Sequence, residues 1–315
     1  MPLITMSEIL HDADLYKYGV GAYNLLNMEA VKGAVRACEE LRSPLIMQLA
    51  EVQLEGSPMN YMIPMMVHAA KEATVPVAVH FDHGVTFENI IKALKYGCTS
   101  VMFDGASLSF EENVKKTKEA VMIAHAMGAT CEAELGVVGG AEAGGHHTAE
   151  ELLTDVEQAA EFVERTGCDA LAIAIGNAHG PYVKKPNLHF ERLKKINEAV
   201  RVPLVLHGGS GISDEDFKKC VKLGIRKINV ATSLQQNVSL KIKNMCRLCS
   251  INGVDFFEIA KKLEEGVFDE IAAHTHIFGS GGKANIGAAS SEALINTIVH
   301  EVLKEMQLYL EGTEA

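Results

Sequence analysis

The sequence predicts an α/β protein of the (β/α)8, or TIM-barrel, architecture, followed by a helical C-terminal extension. Three observations predict it. Apolar strand-like runs alternate with amphipathic helical runs about eight times from start to finish. The 315 residues comfortably hold such a barrel, which typically needs about 250. Nearly every strand-like run ends on a polar or ionisable side chain, where a purely structural strand needs none. A doubly wound open sheet is the alternative reading of the same alternation.

The elements follow in order. Residues 20–24 read as the first strand and 28–41 as its helix; 44–49 and 59–73 form the second pair. The third strand spans 76–84, His80-Phe-Asp-His-Gly84 at its end, with β-branched or aromatic Val77, Val79 and Phe81 and with Pro76 at its first position. Its helix is 87–96. Strands at 99–103 and 130–134 flank a helix over 110–127. A glycine-rich loop at 136–148 precedes a helix that ends at Arg165. The sixth strand, 170–175, leads to a helix over 190–199. The seventh, 203–206, leads to a helix opened by Ser213, whose first turn carries Asp214, Glu215 and Asp216, as an N-terminal helix dipole favours. The eighth is 225–230, and Thr232 begins another helix. Residues 280–282 (Ser-Gly-Gly) read as a flexible link. Leu294, Ile298 and Val302 recur at helical spacing in a terminal helix over 292–310. The division expected is a barrel domain over 1–285 and a helical extension over 286–315.

Composition narrows the function. A net charge of −12 argues against nucleic acid and anionic membranes, which select basic patches. Hydrophobic residues at 48% and charged residues at 22% are ordinary for a globular protein. Seven scattered cysteines, an odd number, read as reduced thiols. Residues 1–5 lack a basic segment and an apolar core, so no secretory signal is expected, and no run approaches the roughly 20 apolar residues of a membrane span. The expected location is cytoplasmic.

The strand ends carry the chemistry. Collected, they are Asn24, Asp82, His83, Asp104, Glu132 or Glu134, His179, His207 and Asn229. In such barrels the site lies at these carboxyl ends. One strand-end histidine is an ordinary hydrogen-bonded residue; three at equivalent ends beside carboxylates form a catalytic metal set, three ligands with a fourth position open. His179 and His207 stand 28 residues apart, one βα unit, and His83 comes from across the mouth. Asp82 suits either a helix cap or a general acid/base. Asp104 and Glu134 suit a second metal position or the shell behind the first, with turn duty for Asp104 equally open. His80, His146, His147, His274 and His276 are left as surface or core histidines. Gly208-Gly-Ser-Gly211 before a helix, with Asn229, Thr232 and Lys184, suits a phosphate. Cys246-x-x-Cys249 has no partner pair for a metal.

These residues resemble the class II, zinc-dependent ketose-bisphosphate aldolases, over about residues 1–285. The motifs are Ala22-Tyr-Asn24, His80-Phe-Asp-His-Gly84, Val101-Met-Phe-Asp-Gly105, Glu132-Ala-Glu-Leu-Gly136, Gly139-Gly-Ala-Glu142, Ile175-Gly-Asn-Ala-His-Gly180, Leu206-His-Gly-Gly-Ser-Gly211, Lys227-Ile-Asn-Val-Ala-Thr232 and Phe278-Gly-Ser-Gly-Gly-Lys283. The resemblance implies a lyase that reversibly cleaves a ketose 1,6-bisphosphate of the fructose or tagatose type to dihydroxyacetone phosphate and glyceraldehyde 3-phosphate, in carbohydrate metabolism such as glycolysis. It implies Zn2+ on His83, His179 and His207, with Asp104 and Glu134 near an alternate metal position. Asp82 then moves the C4 hydroxyl proton and Glu142 exchanges a proton at the enediolate. Asn24, Gly180, Lys184, Gly208, Ser210, Asn229 and Thr232 bind substrate. A monovalent cation, Na+ or K+, is implied as well. Separately, a homo-oligomer, dimer or tetramer, is expected, with the terminal helix a candidate for its interface. The sequence departs from the family pattern at Ala231, at Ala50-Glu51, at Gln235 and at Pro181.

Four other readings stand beside this one. Lys227 shares a strand face with Asn229 and could form an imine. The same barrel could run a zinc hydrolase acting on another substrate, and another phosphorylated ketose with a different aldehyde fragment would suit the departures. A catalytically silent sugar-phosphate-binding protein is the non-enzymatic reading.

Overall fold

The computed structural model describes residues 2–138, 153–178, 180, 186–248 and 255–284. Eight parallel strands close into a barrel in sequential order. They are β1 (Val20–Asn24), β2 (Leu45–Ala50), β3 (Val77–Gly84), β4 (Ser100–Phe103), β5 (Thr130–Leu135), β6 (Ala170–Ile173), β7 (Leu204–Leu206) and β8 (Ile225–Val230). Closure comes from β1 pairing with β8, Ala22 opposite Asn229. The helices are α1 (Met6–Leu15), α2 (Met28–Glu40), α3 (Met59–Glu72), α4 (Phe87–Tyr96), α5 (Phe110–Ala126), α6 (Val156–Thr166), α7 (Phe190–Ala199), α8 (Asp214–Lys222), α9 (Thr232–Leu248) and α10 (Phe256–Phe278). The βα alternation read from the sequence is therefore the fold. No helix among the described residues is long and apolar enough to cross a membrane.

Strand side chains alternate between two cores. Outward-facing Leu45, Val77, Val79, Phe81, Val101 and Leu171 join the helix ring in the larger one. Inward-facing residues build the barrel interior in layers. The lowest is apolar: Ala22, Ile46, Ala78, Ala170, Ala172 and Val205 pack against Met6, Ile9, Leu10 and Ala13 of α1. Helix α1 thus plugs the amino-terminal end of the barrel. It starts at a capping box: the Glu8 N–H donates to Thr5 Oγ1 (3.3 Å) and the Thr5 N–H to Glu8 Oε2 (2.8 Å). Met6, Ile9 and Leu10 are fully buried, a burial of roughly 1.5–3 kcal/mol each. Above this plug the interior turns polar, and the site begins there.

Two α-helices were not expected. One is α1; the other is α10, which packs against α2, α8, α9 and β1. Gly33 of α2 permits this, since a Cβ there would stand 2.5 Å from the Glu264 carbonyl oxygen. Arg36 locks the pair, with Nη1 2.5 Å from Glu264 Oε1 and its guanidinium over the Phe268 ring. The segment after α10 is not a flexible link. The Ser43 hydroxyl donates to Ser280 Oγ (2.9 Å), and the Gly282 and Ala284 N–H groups donate to the Leu41 and Arg42 carbonyls. Hydrogen bonding to the α2–β2 turn outweighs the local freedom of the two glycines. The extension expected over 286–315 lies outside the described residues.

Candidate active site

The polar interior rises from the middle of the barrel to its carboxyl mouth. Its lower layer is His80, Ser100, Glu132 and Lys227, all fully buried. Lys227 Nζ lies 2.8 Å from Glu132 Oε2, an ion pair by distance without the alignment of a hydrogen bond. The other Glu132 oxygen is 2.9 Å from His207 Nε2. His80 Nδ1 meets Ser100 Oγ at 2.7 Å. Burial pushes the Glu132 carboxyl up, but Lys227 and His207 outweigh it and hold it down at about 2. His80 is pushed down to about 3 by burial and by Lys227, so it is a neutral core histidine, as expected.

The upper layer holds the residues read as functional. Asp82 and His83 are consecutive, and a regular strand would point them to opposite faces. Two features turn both toward the mouth. The β3–β4 register shifts between Phe81 and Gly84, and His83 adopts φ 48°, in the left-handed region. Such a conformation in a non-glycine residue costs about 1–3 kcal/mol and is held only by its surroundings. Gly84 completes the bulge, because a Cβ there would stand 2.6 Å from the Met102 carbonyl oxygen.

His83 and His207 meet across the barrel, with His83 Nε2 3.0 Å from His207 Nδ1. Each ring is backed by a carboxylate on its far nitrogen: His83 Nδ1 on Asp104 Oδ2 at 2.7 Å, and His207 Nε2 on Glu132 Oε1 at 2.9 Å. Both carboxylates accept, so those far nitrogens carry the protons. Without a metal the Nε2–H of the His83 imidazolium donates to His207 Nδ1, and a metal ion that displaces this one proton would meet a lone pair on each nitrogen. Two lone pairs aimed at one point are the donor set of a shared cation, and the carboxylate behind each ring is the usual partner of a metal-bound histidine. Ligand atoms of Asp82, His83 and His207 lie within 4.8 Å of one another, as do those of His83, Asp104 and Glu134. Glu134 Oε2 is buried without a hydrogen-bond donor, 3.5 Å from His207 Nδ1. These residues fit a divalent metal.

The charges and burial of the cluster set its protonation. Burial alone would depress His83, but Asp82, Asp104 and Glu134 push it up to about 10. Burial and the neighbouring Asp104 charge raise Glu134 well above the usual carboxyl value. A crowd of carboxylates around His83 attracts positive charge, whether a proton or a metal ion. His207 goes the other way, to about 4, chiefly through burial.

Asp82, almost fully buried, sits in a cage of amides. Asn24 and Gln48 each donate to Oδ2 at 3.2 Å, and Asn229 donates to Oδ1 at 3.0 Å. Gln48 also donates to Asn24 Oδ1 (2.8 Å), so the cage is self-bracing. Burial works against ionisation of Asp82, but the charges of His83 and Lys227 outweigh it and hold the carboxyl well below the usual range. Amide donors act in the same direction, because they stabilise only the carboxylate form.

A cavity of about 260 Å³ opens over this layer. Asn24, Asp82, His83, Gly180, Gly208, Ser210, Asn229 and Thr232 all line it, which gathers the sequence-read residues of five strand ends at one mouth. Gly208 and Gly211 have φ 63° and 97°, and the Ser233 N–H donates to Ser210 Oγ, tying the glycine loop to the start of α9. His179, Lys184 and Glu142 lie outside the described residues. Four contributors went unread: Gln48, Gln53, Asn177 and the Glu132–Lys227 pair as a unit. Asn177 accepts from the Ile175 N–H (2.7 Å) and donates to the His207 carbonyl (3.0 Å), fixing the end of β7. The available signal was an amide or charge inside an otherwise apolar strand, as at Gln48 and Lys227. Cys246 is exposed on α9, and Cys249 lies outside the described residues.

The chain matches known proteins over most of its length. The family model described as fructose-bisphosphate aldolase class-II matches residues 4–283. YdjI of Escherichia coli strain K12 is 42% identical over 280 residues, 87% of this chain and 96% of that protein. The crystal structure of the YdjI aldolase superposes with a TM-score of 0.81 at 40% identity, covering 90% of this chain and all of that one. The fructose-bisphosphate aldolase of Thermus caldophilus is 41% identical over 312 residues, 90% of this chain and 100% of that protein. The sulfofructosephosphate aldolase of Alkalicoccus urumqiensis is 37% identical over 290 residues, 90% and 99% of the two chains.

Proposed function

Because the chain belongs to the class-II fructose-bisphosphate aldolase family, a family of generally metal-dependent lyases, we propose that it is a Zn2+-dependent aldolase that reversibly splits the C3–C4 bond of a ketose carrying a phosphate on C1. The products are dihydroxyacetone phosphate and an aldehyde. The observation that carries this reading is the pair of carboxylate-backed histidine nitrogens 3.0 Å apart, next to the caged carboxylate of Asp82.

His83 and His207, joined by His179 on the strength of the resemblance, would hold the Zn2+, which when bound supplies Lewis-acid stabilisation of the negative charge that bond cleavage leaves beside the ketone. Glu132 and Asp104 orient the two rings by accepting from their far nitrogens. Asp104 and Glu134 form an alternate ligand position with His83. Asp82 takes the C4 hydroxyl proton during cleavage and returns it in condensation. Its three amide donors keep it ionised and aimed, so proton transfer needs no reorganisation of the cage. Asn24 and Asn229 therefore act on substrate partly through Asp82. Gly180, Gly208 and Ser210 with Thr232 at the start of α9 receive the C1 phosphate on backbone N–H groups and hydroxyls, with Lys184 adding positive charge. Glu142 exchanges the C3 proton. A monovalent cation, a cytoplasmic location and a homo-oligomeric assembly belong to the same reading.

The test is condensation of dihydroxyacetone phosphate with glyceraldehyde. Activity should vanish after exhaustive chelation and return with Zn2+, and borohydride with substrate should trap nothing. Activity that persists without metal, together with a borohydride adduct on Lys227, would replace this mechanism by an imine mechanism. The engagement of Lys227 Nζ with Glu132 at 2.8 Å, below the histidines, favours the metal route.

A further inference from the structure

The two sides of the cavity differ in chemistry. On the β7–β8 side stand the glycine loop and the first turn of α9, both suited to an anion. On the β1–β2 side the wall is Ala50, Val52 and Gln53, with Asn24 below them. Val52 presents its isopropyl group to the mouth and is 75% exposed. Gln53 Oε1 accepts from the Ala50 N–H (3.0 Å) and from Asn24 Nδ2 (3.3 Å), which leaves the Gln53 –NH2 as the donor it can offer a ligand. Among the described residues the formal charge on this side is negative. Between Ala50 and Val52 stands Glu51, whose carboxylate accepts from the Val85 N–H (2.7 Å), the Asn89 amide (2.7 Å) and the Thr86 hydroxyl (3.2 Å), all neutral donors. Asp82 lies beneath.

We propose that the β1–β2 side of the cavity selects an aldehyde half that carries hydroxyl groups and no phosphate. This rests on the aldolase reading above and names the substrate class within it. The aldehyde fragment leaves from C4, the carbon whose hydroxyl faces Asp82, so it extends away from the glycine loop. Carboxamide N–H groups and a methyl-lined wall match sugar hydroxyls and C–H edges. A phosphate dianion there would lose hydration against alkyl groups and face the Asp82 carboxylate, with the Glu51 charge behind the wall, a cost that only a pairing cation offsets. Lys184, the lysine assigned to substrate, follows β6, across the barrel from β2, and lies outside the described residues. The substrate class is then a ketose 1-phosphate, not a ketose 1,6-bisphosphate.

The experiment has two arms on the Zn2+-loaded full chain. The first follows exchange of the C3 proton of dihydroxyacetone phosphate with solvent deuterium by NMR, which needs no aldehyde and tests the aldolase reading alone. The second measures kcat/KM for condensation of dihydroxyacetone phosphate with glyceraldehyde and with glyceraldehyde 3-phosphate. Glyceraldehyde is expected to be favoured by about tenfold. Val52→Arg, which adds a cation to this wall, should shift the ratio toward the phosphorylated aldehyde by about tenfold. Exchange with an equal or higher kcat/KM for glyceraldehyde 3-phosphate in the unmodified chain overturns the inference and leaves the aldolase reading standing. An unmoved ratio in Val52→Arg overturns the assignment of this wall to the aldehyde half. Failure of exchange removes the aldolase reading and this inference together.

Discussion

Replacing Glu132 by Gln breaks two contacts with one isosteric change. Glu132 and Lys227 are both fully buried and 2.8 Å apart, so the variant leaves Lys227 without its counter-charge inside the barrel. Removing one partner of a buried pair costs about 3–5 kcal/mol, a large part of the roughly 5–15 kcal/mol that holds a domain folded. The same change weakens the acceptor of His207 Nε2, and losing such a partner lowers metal affinity about 10–100-fold. Urea unfolding of the metal-free protein reads the first effect, and competition with a chromophoric chelator reads the second. The double variant Glu132→Gln, Lys227→Met separates them: stability should largely return while metal affinity stays weak. The sign of the pH dependence follows from the depressed Glu132 carboxyl. Its contribution is complete above the ordinary value of 4.5, fades as pH falls toward about 2, and should be missing in the double variant. If Glu132→Gln unfolds within about 0.5 kcal/mol of the parent, the size of a neutral surface change, and binds metal as tightly, the layer beneath the histidines neither holds the barrel together nor orients His207.

Asp82→Asn should retain metal and lose about 10²–10⁴-fold in kcat, the range for a removed general base, read by coupled assay alongside metal content. Gln48→Ala removes one of the donors to Asp82 Oδ2 and a brace on Asn24; kcat should fall by about tenfold with little change in KM. Gly84→Ala forces a Cβ to within 2.6 Å of the Met102 carbonyl oxygen, so it should cost about 1–3 kcal/mol by thermal unfolding and weaken metal binding through the neighbouring His83. Leu10→Ala in the plug should cost about 2–5 kcal/mol and leave kcat unchanged, since α1 lies at the opposite end of the barrel from the mouth.

The barrel was legible because its signal is repetitive: short, largely apolar strands alternate with helices that have their own period, several of them with a side-chain cap. The strand-end residues were legible for a related reason, since Asp82, His207 and Asn229 sit where a buried strand gains nothing from polarity. What the linear pattern could not carry was orientation. Period-two alternation separates Asp82 from His83, and only the register shift and the left-handed backbone at His83 bring both to the mouth. The pairing of Glu132 with Lys227 spans the barrel interior and has no local signature. Helix α1 did carry one, Thr5 and Glu8 around apolar Met6, Ile9 and Leu10 at helical spacing, but its role as a plug depends on the strands it meets. The Ser280–Gly282 stretch misled because glycine content reports local freedom, whereas its hydrogen bonds to residues 41–43 are long-range.

Calorimetric titration of the metal-free chain with Zn2+, for the parent and for His207→Ala, tests the metal centre most directly. Two imidazoles that share an ion predict one tight site per chain in the parent and an affinity at least about 100-fold weaker in the variant. Equal affinity in both proteins would mean that the nitrogen of His207, 3.0 Å from that of His83, is not a ligand, and the proposed catalytic centre would have to be abandoned.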